Sequence, residues 1–295
     1  METEENKPPH KGIKKGLYLI PTAFTAANIG MGFLAVLYSI RGFQFVYTNP
    51  EQSAYYFNFA GIAIGLAILF DTLDGRVARM TRTATEIGVQ FDSLADVLTF
   101  GIAPIALMFS WAIAPNFKED SSAYAMGIFL LFMYLMCGAF RLARFNLQAT
   151  RPRVLIEGTP KIDKKNFVGL PIPPAAGLLA SIVHFAPMPL NSYGENVGHF
   201  YGILMMILIA VLSVLMVSTI RYSSFKSAGA GRKNLYLLLI IAAVGMLMWL
   251  YSKYVLMILS IIYVSHGIIW YLLSAMKPRR RTVETEKSND GEETV

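Results

Sequence analysis

Charge, cysteine and histidine are all scarce in this chain. Only 15% of its 295 residues are Asp, Glu, Lys or Arg, against about 25% in an ordinary soluble domain. The single cysteine, Cys137, excludes an intrachain disulfide and a paired-thiol metal site. Four histidines (His10, His184, His199 and His266) are scattered without ligand spacing, which leaves a zinc centre or a histidine-activated nucleophile without a basis. What the chain has in excess is apolar: 55% hydrophobic residues and a mean hydropathy of +0.48. A soluble core of this length cannot hide so much apolar surface. The composition points to an all-α polytopic membrane protein.

About 20 mostly apolar residues are needed to cross roughly 30 Å of hydrocarbon. The hydropathy pattern predicts eight spans, at 21–40, 54–79, 90–113, 123–147, 170–188, 200–220, 234–251 and 254–275, the last two joined by a tight turn near Ser252 and Lys253. Of the 26 Lys and Arg, 23 fall in the N-terminal arm, the even-numbered connections with their helix ends, and the C-terminal tail; Arg41, Lys118 and Lys253 are the remainder. The positive-inside rule then places both termini in the cytoplasm of a cell-membrane protein. The formal charge of +7 is thus a topology signal and an attraction to anionic lipid headgroups, not a nucleic-acid footprint. Residues 1–20 read as a basic interfacial arm, 21–276 as a transmembrane catalytic domain, and 277–295 as a disordered cytoplasmic tail.

Against this apolar background one segment stands out, DTLDGRVARMTRTATEIGVQFDSLAD, from Asp71 to Asp96. Asp71 follows a long apolar run, and ionisable groups at such depth cost a few kcal/mol each and mark function. Asp71 and Asp74 are three apart, Asp92 and Asp96 four apart, so each pair shares a helix face. Two antiparallel helices can aim both pairs into one pocket, where four carboxylates repel unless cations neutralise them. Hard oxygen donors suit Mg²⁺, Mn²⁺ or Ca²⁺, and two such ions could grip a diphosphate. Gly75 and Ala78 leave a helix face bare for a ligand, Arg79 offers a fork for phosphate oxygens, and Gly88 sits one turn before Asp92. Ion pairs with Arg76, Arg79 and Arg82 would account for only one or two of the aspartates.

The pattern D-x-x-D-G-x-x-A-R, then eight residues, then G-x-x-x-D-x-x-x-D resembles the signature of the CDP-alcohol phosphotransferases at all of its specified positions: Asp71, Asp74, Gly75, Ala78, Arg79, Gly88, Asp92 and Asp96. The resemblance implies a six-helix core, a homodimer and a divalent-metal cofactor, Mg²⁺ or Mn²⁺, two per site. It implies Asp71, Asp74, Asp92 and Asp96 as metal ligands, with Asp96 also the general base. Gly75, Ala78, Arg79 and Gly88 would line the CDP-lipid site.

Further stretches are similar to the membrane-embedded serine-using branch of that family: IPTAFTAANIGMGF (20–33), FDSLADVLTFGIAP (91–104), FRLARFNLQ (140–148) and GLPIPPAAG (169–177). That branch usually opens the first stretch Pro-Asn, where this chain has Pro21 and Thr22; Thr25 and Asn28 match and are expected to hydrogen-bond the CDP-lipid. The implied substrates are CDP-diacylglycerol and L-serine, giving phosphatidylserine and CMP. Arg141 and Arg144, three apart with Asn146 beyond, fit either serine's carboxylate or the lipid phosphate, or simply snorkelling at a helix end. Other acceptors (glycerol 3-phosphate, inositol phosphate, choline), an ether-linked CDP-lipid, and remotely a divalent-cation transporter stay open on sequence alone.

Overall fold

A turn of four residues builds the first hairpin. α1 (Lys11–Phe45) ends at Val46–Asn49, and α2 (Pro50–Thr81) starts at a proline, the residue best suited to a first helical position. Asn49 Oδ1 accepts from the Gln52 N–H at 3.1 Å, a side-chain cap on α2. The hairpin is pinned near this turn by Ser53 Oγ, which donates to the Gly42 carbonyl at 2.8 Å. Gly42 itself lies so close to the Phe57 ring that a β-carbon would sit 2.5 Å from it.

The structure is a computed structural model and describes residues 11–81, 86–150, 166–223 and 250–270 (Ile268 apart), with Leu273. After α2 comes α3 (Glu86–Asp96), a π-helical turn (Val97–Ile102), α4 (Ala103–Met108) and a second π turn (Phe109–Ile113), running together as one rod. α5 (Ser122–Thr150) is capped by Ser121, whose Oγ accepts from the Tyr124 N–H at 3.1 Å. α6 (Ile172–Phe185) and α7 (Glu195–Val217) follow, and α8 covers residues 250–267. Strands β1 (Asn166–Val168) and β2 (Arg221–Ser223) pair antiparallel, Phe167 opposite Tyr222.

The core is helix on helix: Phe57, Phe100, Trp111, Tyr134 and Leu179 are buried where the rods meet. Large apolar side chains such as Phe33, Phe129, Phe200 and Val214 point outward instead. Helices satisfy their own backbone, so an apolar outer wall around a helical bundle is what hydrocarbon requires. The protein is a polytopic membrane protein.

Five described helices are long and apolar enough to cross a bilayer: Thr22–Phe45, Pro50–Val77, Gln90–Ile113, Ser122–Leu147 and Glu195–Val217. They correspond to the first four and the sixth predicted spans. The fifth, expected over 170–188, is a shorter helix, Ile172–Phe185, about 21 Å long. Pro171 holds it extended at its start (φ −60°, ψ 144°), with Pro173 and Pro174 in the first turn. Its buried residues, among them Ala176, Leu179 and Val183, pack inside the bundle. The predicted seventh span lies outside the described residues except at 250–251. Ser252 and Lys253, expected in a turn, are helical and open α8; the Ser252 hydroxyl is engaged by the core at His184. Nothing of the predicted arm before Lys11 or the tail after Leu273 is among the described residues.

Candidate active site

α2 and α3 bring three aspartates together. Asp71, Asp92 and Asp96 each offer a carboxylate oxygen, and these atoms all lie within 4.8 Å of one another. The cause is local: Asp92 and Asp96 are one turn apart on α3, and Asp71 sits near the end of α2, facing them. Three carboxylates at such separation repel strongly in a partly buried site. One of them is harder still to account for alone, since Asp96 Oδ1 is buried without a hydrogen-bond partner. A divalent cation answers both facts. The donor set is all oxygen, so it fits hard ions such as Mg²⁺ or Mn²⁺ and not zinc or copper.

The fourth aspartate is placed differently. Asp74 is only 6% exposed and accepts a hydrogen bond from the Thr25 hydroxyl of α1; it is not one of the three clustered carboxylates. Thr25, expected at the CDP-lipid, therefore touches the acidic site itself. One turn along α1, Asn28 is 1% exposed, and both Nδ2 and Oδ1 lack a partner. A carboxamide buried with its donor and acceptor unmet is costly unless a ligand or water completes it.

Immediately after Asp96 the α-helix widens into the π turn, a form that recurs at functional sites. Thr99, fully buried in that turn, donates from Oγ1 to the Asn28 carbonyl at 3.3 Å. Gly32 permits this approach, because a β-carbon there would meet Thr99 Oγ1 at 2.7 Å. α1 is thereby seated against the segment that carries Asp96.

Arg141 on α5 is 7% exposed with its Nε unpartnered, and lies within electrostatic reach of Asp96 and Arg144. Arg144 is half-buried. Asn146 Nδ2 donates to Ser93 Oγ at 2.8 Å, which latches α5 to α3 between Asp92 and Asp96. Both line a groove of about 450 Å³ that is polar at Gln90, Ser93 and Asn146 and apolar at Leu94, Val97 and Leu142. Gly75 is half-buried and Gly88 exposed on their helices; the side chains of Ala78 and Arg79 lie outside the described residues. Sequence reasoning passed over Ser93 and Thr99. Ser93 directly follows Asp92 at an unspecified position of the signature, and a hydroxyl beside a carboxylate in an apolar helix was the signal to follow.

Residues 18–215 match the CDP-alcohol phosphatidyltransferase family. The chain belongs to that family. All eight signature positions and α2 to α6 fall inside the matched region. Among curated relatives, this CDP-alcohol phosphatidyltransferase is 34% identical to a Helicobacter pylori protein named CDP-diacylglycerol–serine O-phosphatidyltransferase, across 88% of this chain and 94% of the relative. A Methanocaldococcus jannaschii protein of the same name is 31% identical across 84% and 92%. An archaetidylserine synthase of Methanothermobacter thermautotrophicus is 35% identical across 72% of each chain.

The histidines take no part in the acidic site. His184 bridges Asn58 and Ser252, His199 stacks on Phe117 with ring centroids 5.2 Å apart, and His266 stacks on Trp270 at 6.4 Å.

Proposed function

We propose that this CDP-alcohol phosphatidyltransferase makes phosphatidylserine, transferring the phosphatidyl group of CDP-diacylglycerol to the hydroxyl of L-serine with release of CMP. The observation that carries the chemistry is the convergence of Asp71, Asp92 and Asp96 within 4.8 Å. The serine acceptor is supported by the names of relatives that match most of the chain.

In this reading Asp96, with one carboxylate oxygen unpartnered in the site, takes the proton of the serine hydroxyl. The serine oxygen forms a bond to the lipid-side phosphorus, and the bond from that phosphorus to the bridging oxygen breaks, so CMP carries away the bridging oxygen and its electrons. Asp71, Asp92 and Asp96, with Asp74 alongside, would hold Mg²⁺ or Mn²⁺, which supplies neutralising charge for the diphosphate and the departing CMP. Thr25 fixes the orientation of the Asp74 carboxylate. Asn28, with Gly75, Ala78, Arg79 and Gly88, receives the CDP-lipid. Arg141 offers a buried cation to the acceptor carboxylate, Arg144 adds positive field beside it, and Asn146 holds the α3–α5 latch that shapes the pocket.

The positive-inside distribution supports an active site and termini on the cytoplasmic side of the cell membrane, and the family resemblance supports a homodimer. The test is CMP release from CDP-diacylglycerol by purified protein with Mn²⁺ or Mg²⁺ across a panel of alcohols. Release stimulated by L-serine, with phosphatidylserine formed, is the expected result. Release only with glycerol 3-phosphate, inositol phosphate or choline would contradict the acceptor. A second reading, the same transfer from an ether-linked CDP-lipid, is favoured by the archaetidylserine synthase relative and is tested by offering both lipids.

A further inference from the structure

The last helix lies beyond the residues that match the family, yet it is docked on the core at defined points. His184, 5% exposed on α6, contacts Asn58 Oδ1 of α2 at 2.7 Å and Ser252 Oγ of α8 at 3.0 Å. Beside it, Tyr254 of α8 packs edge-on against Phe185 with centroids 5.5 Å apart. Ser252 therefore marks the face of α8 that looks inward. Eleven residues later, about three turns plus 20° at 100° per residue, the same face carries Tyr263. The helix rises about 16 Å over that interval, from the His184 end of the bundle toward the end that holds the aspartates. Tyr263 packs against the core, and Val264 and Gly267 beside it are buried.

What Tyr263 meets there is Arg141: the two side chains interact electrostatically. Arg141 thus has Asp96 on one side and Tyr263 on another, with its Nε–H unpartnered. A buried guanidinium is useful to an anionic ligand only if its fork is held in one orientation, and a long side chain loses about 2 kcal/mol of rotamer entropy when fixed. A phenol supplied from a neighbouring helix confines it before the ligand arrives.

We propose that Tyr263 is a positioning residue of the acceptor subsite, holding the Arg141 guanidinium so that it meets the carboxylate of an amino-acid alcohol beside Asp96. The proposal rests on the serine reading above and deepens it. α8 then gives this branch of the family an acceptor-recognition element that the matched core does not contain.

The test is steady-state kinetics on the full-length protein in lipid nanodiscs, wild type beside Tyr263→Phe and Tyr263→Leu, varying L-serine and CDP-diacylglycerol separately, with thermal unfolding measured on each. The hydroxyl of a residue bonded to a charged group is worth about tenfold, so Tyr263→Phe is expected to raise KM for serine about tenfold. KM for CDP-diacylglycerol and the unfolding midpoint are expected to stay within twofold and about 2 °C of wild type. A serine KM within twofold of wild type in both variants overturns the proposal. So does a rise confined to the CDP-diacylglycerol KM, which would assign Arg141 to the lipid phosphate. A fall in unfolding midpoint that accounts for equal losses with both substrates would make Tyr263 structural and also overturn it. Wild-type protein showing no serine-stimulated CMP release would instead remove the acceptor reading on which the proposal rests.

Discussion

The hydroxyl of Thr25 on α1 donates to the carboxylate of Asp74 on α2, 49 residues further along the chain. The first helix is therefore bonded directly to the acidic site through a side chain that the signature does not include. Replacing Thr25 with Val keeps the shape and removes the donor, leaving a buried carboxylate oxygen unmet. The expected result is a fall in kcat/KM for CDP-diacylglycerol of about tenfold, with Thr25→Ser restoring most of it. Equal activity in the Val and wild-type proteins would show that the bond does not order the site.

Asp96 differs from its neighbours in having a buried oxygen without a partner. Asp96→Asn is expected to lower turnover by at least about 10²-fold, the range attributed to general-base catalysis, while CDP-diacylglycerol still binds. Binding measured by displacement of a labelled CDP-lipid separates the two effects. Full turnover in this variant would remove Asp96 as the base.

The Asp71, Asp92 and Asp96 cluster makes activity depend on a divalent cation. Chelation with EDTA is expected to abolish CMP release, and Mn²⁺ or Mg²⁺ to restore it. Asp92→Asn is expected to raise the metal concentration needed for half-maximal restoration, read by titration. Activity that survives exhaustive chelation would contradict the role assigned to the cluster.

Two glycines on α1 give a paired test of how the helix seats. A β-carbon at Gly32 would lie 2.7 Å from Thr99 Oγ1 and 2.9 Å from Thr99 Cα, whereas at Gly30 nothing lies within 4 Å. Gly32→Ala is expected to destabilise by about 1–3 kcal/mol through overpacking and to slow turnover by shifting α1 away from the π turn after Asp96. Gly30→Ala is expected to be neutral or slightly stabilising, since Ala favours helix over Gly by up to about 1 kcal/mol. Thermal unfolding and CMP release on both variants check this, and equal effects would contradict the seating described for Thr99.

The acidic site was legible because its information is local. Asp71 and Asp74, then Asp92 and Asp96, are spaced by single helical turns, and an aspartate after an apolar run is conspicuous whatever surrounds it. Helix boundaries were legible where length and hydropathy agree, as for Gln90–Ile113. They were not legible at Ile172–Phe185, where prolines and burial inside the bundle replace lipid contact with protein contact. The partners that hold the site are non-local: Thr25 finds Asp74, Thr99 finds Asn28, and Ser93 finds Asn146 only once helices far apart in sequence are packed. The π turn after Asp96 leaves no mark in hydropathy, because it changes backbone phase and not composition. Asp74 shows the same limit in reverse: its spacing matches Asp71, but packing against α1 gives it a hydroxyl partner.

The central claim is that the serine hydroxyl oxygen itself becomes the phosphodiester oxygen of the product. L-serine labelled with ¹⁸O in its hydroxyl, incubated with CDP-diacylglycerol, a divalent cation and the purified protein, tests it directly by mass spectrometry of both products. The account predicts phosphatidylserine that retains the label and CMP that carries none. Unlabelled phosphatidylserine, or no serine-dependent product from folded protein, would contradict it.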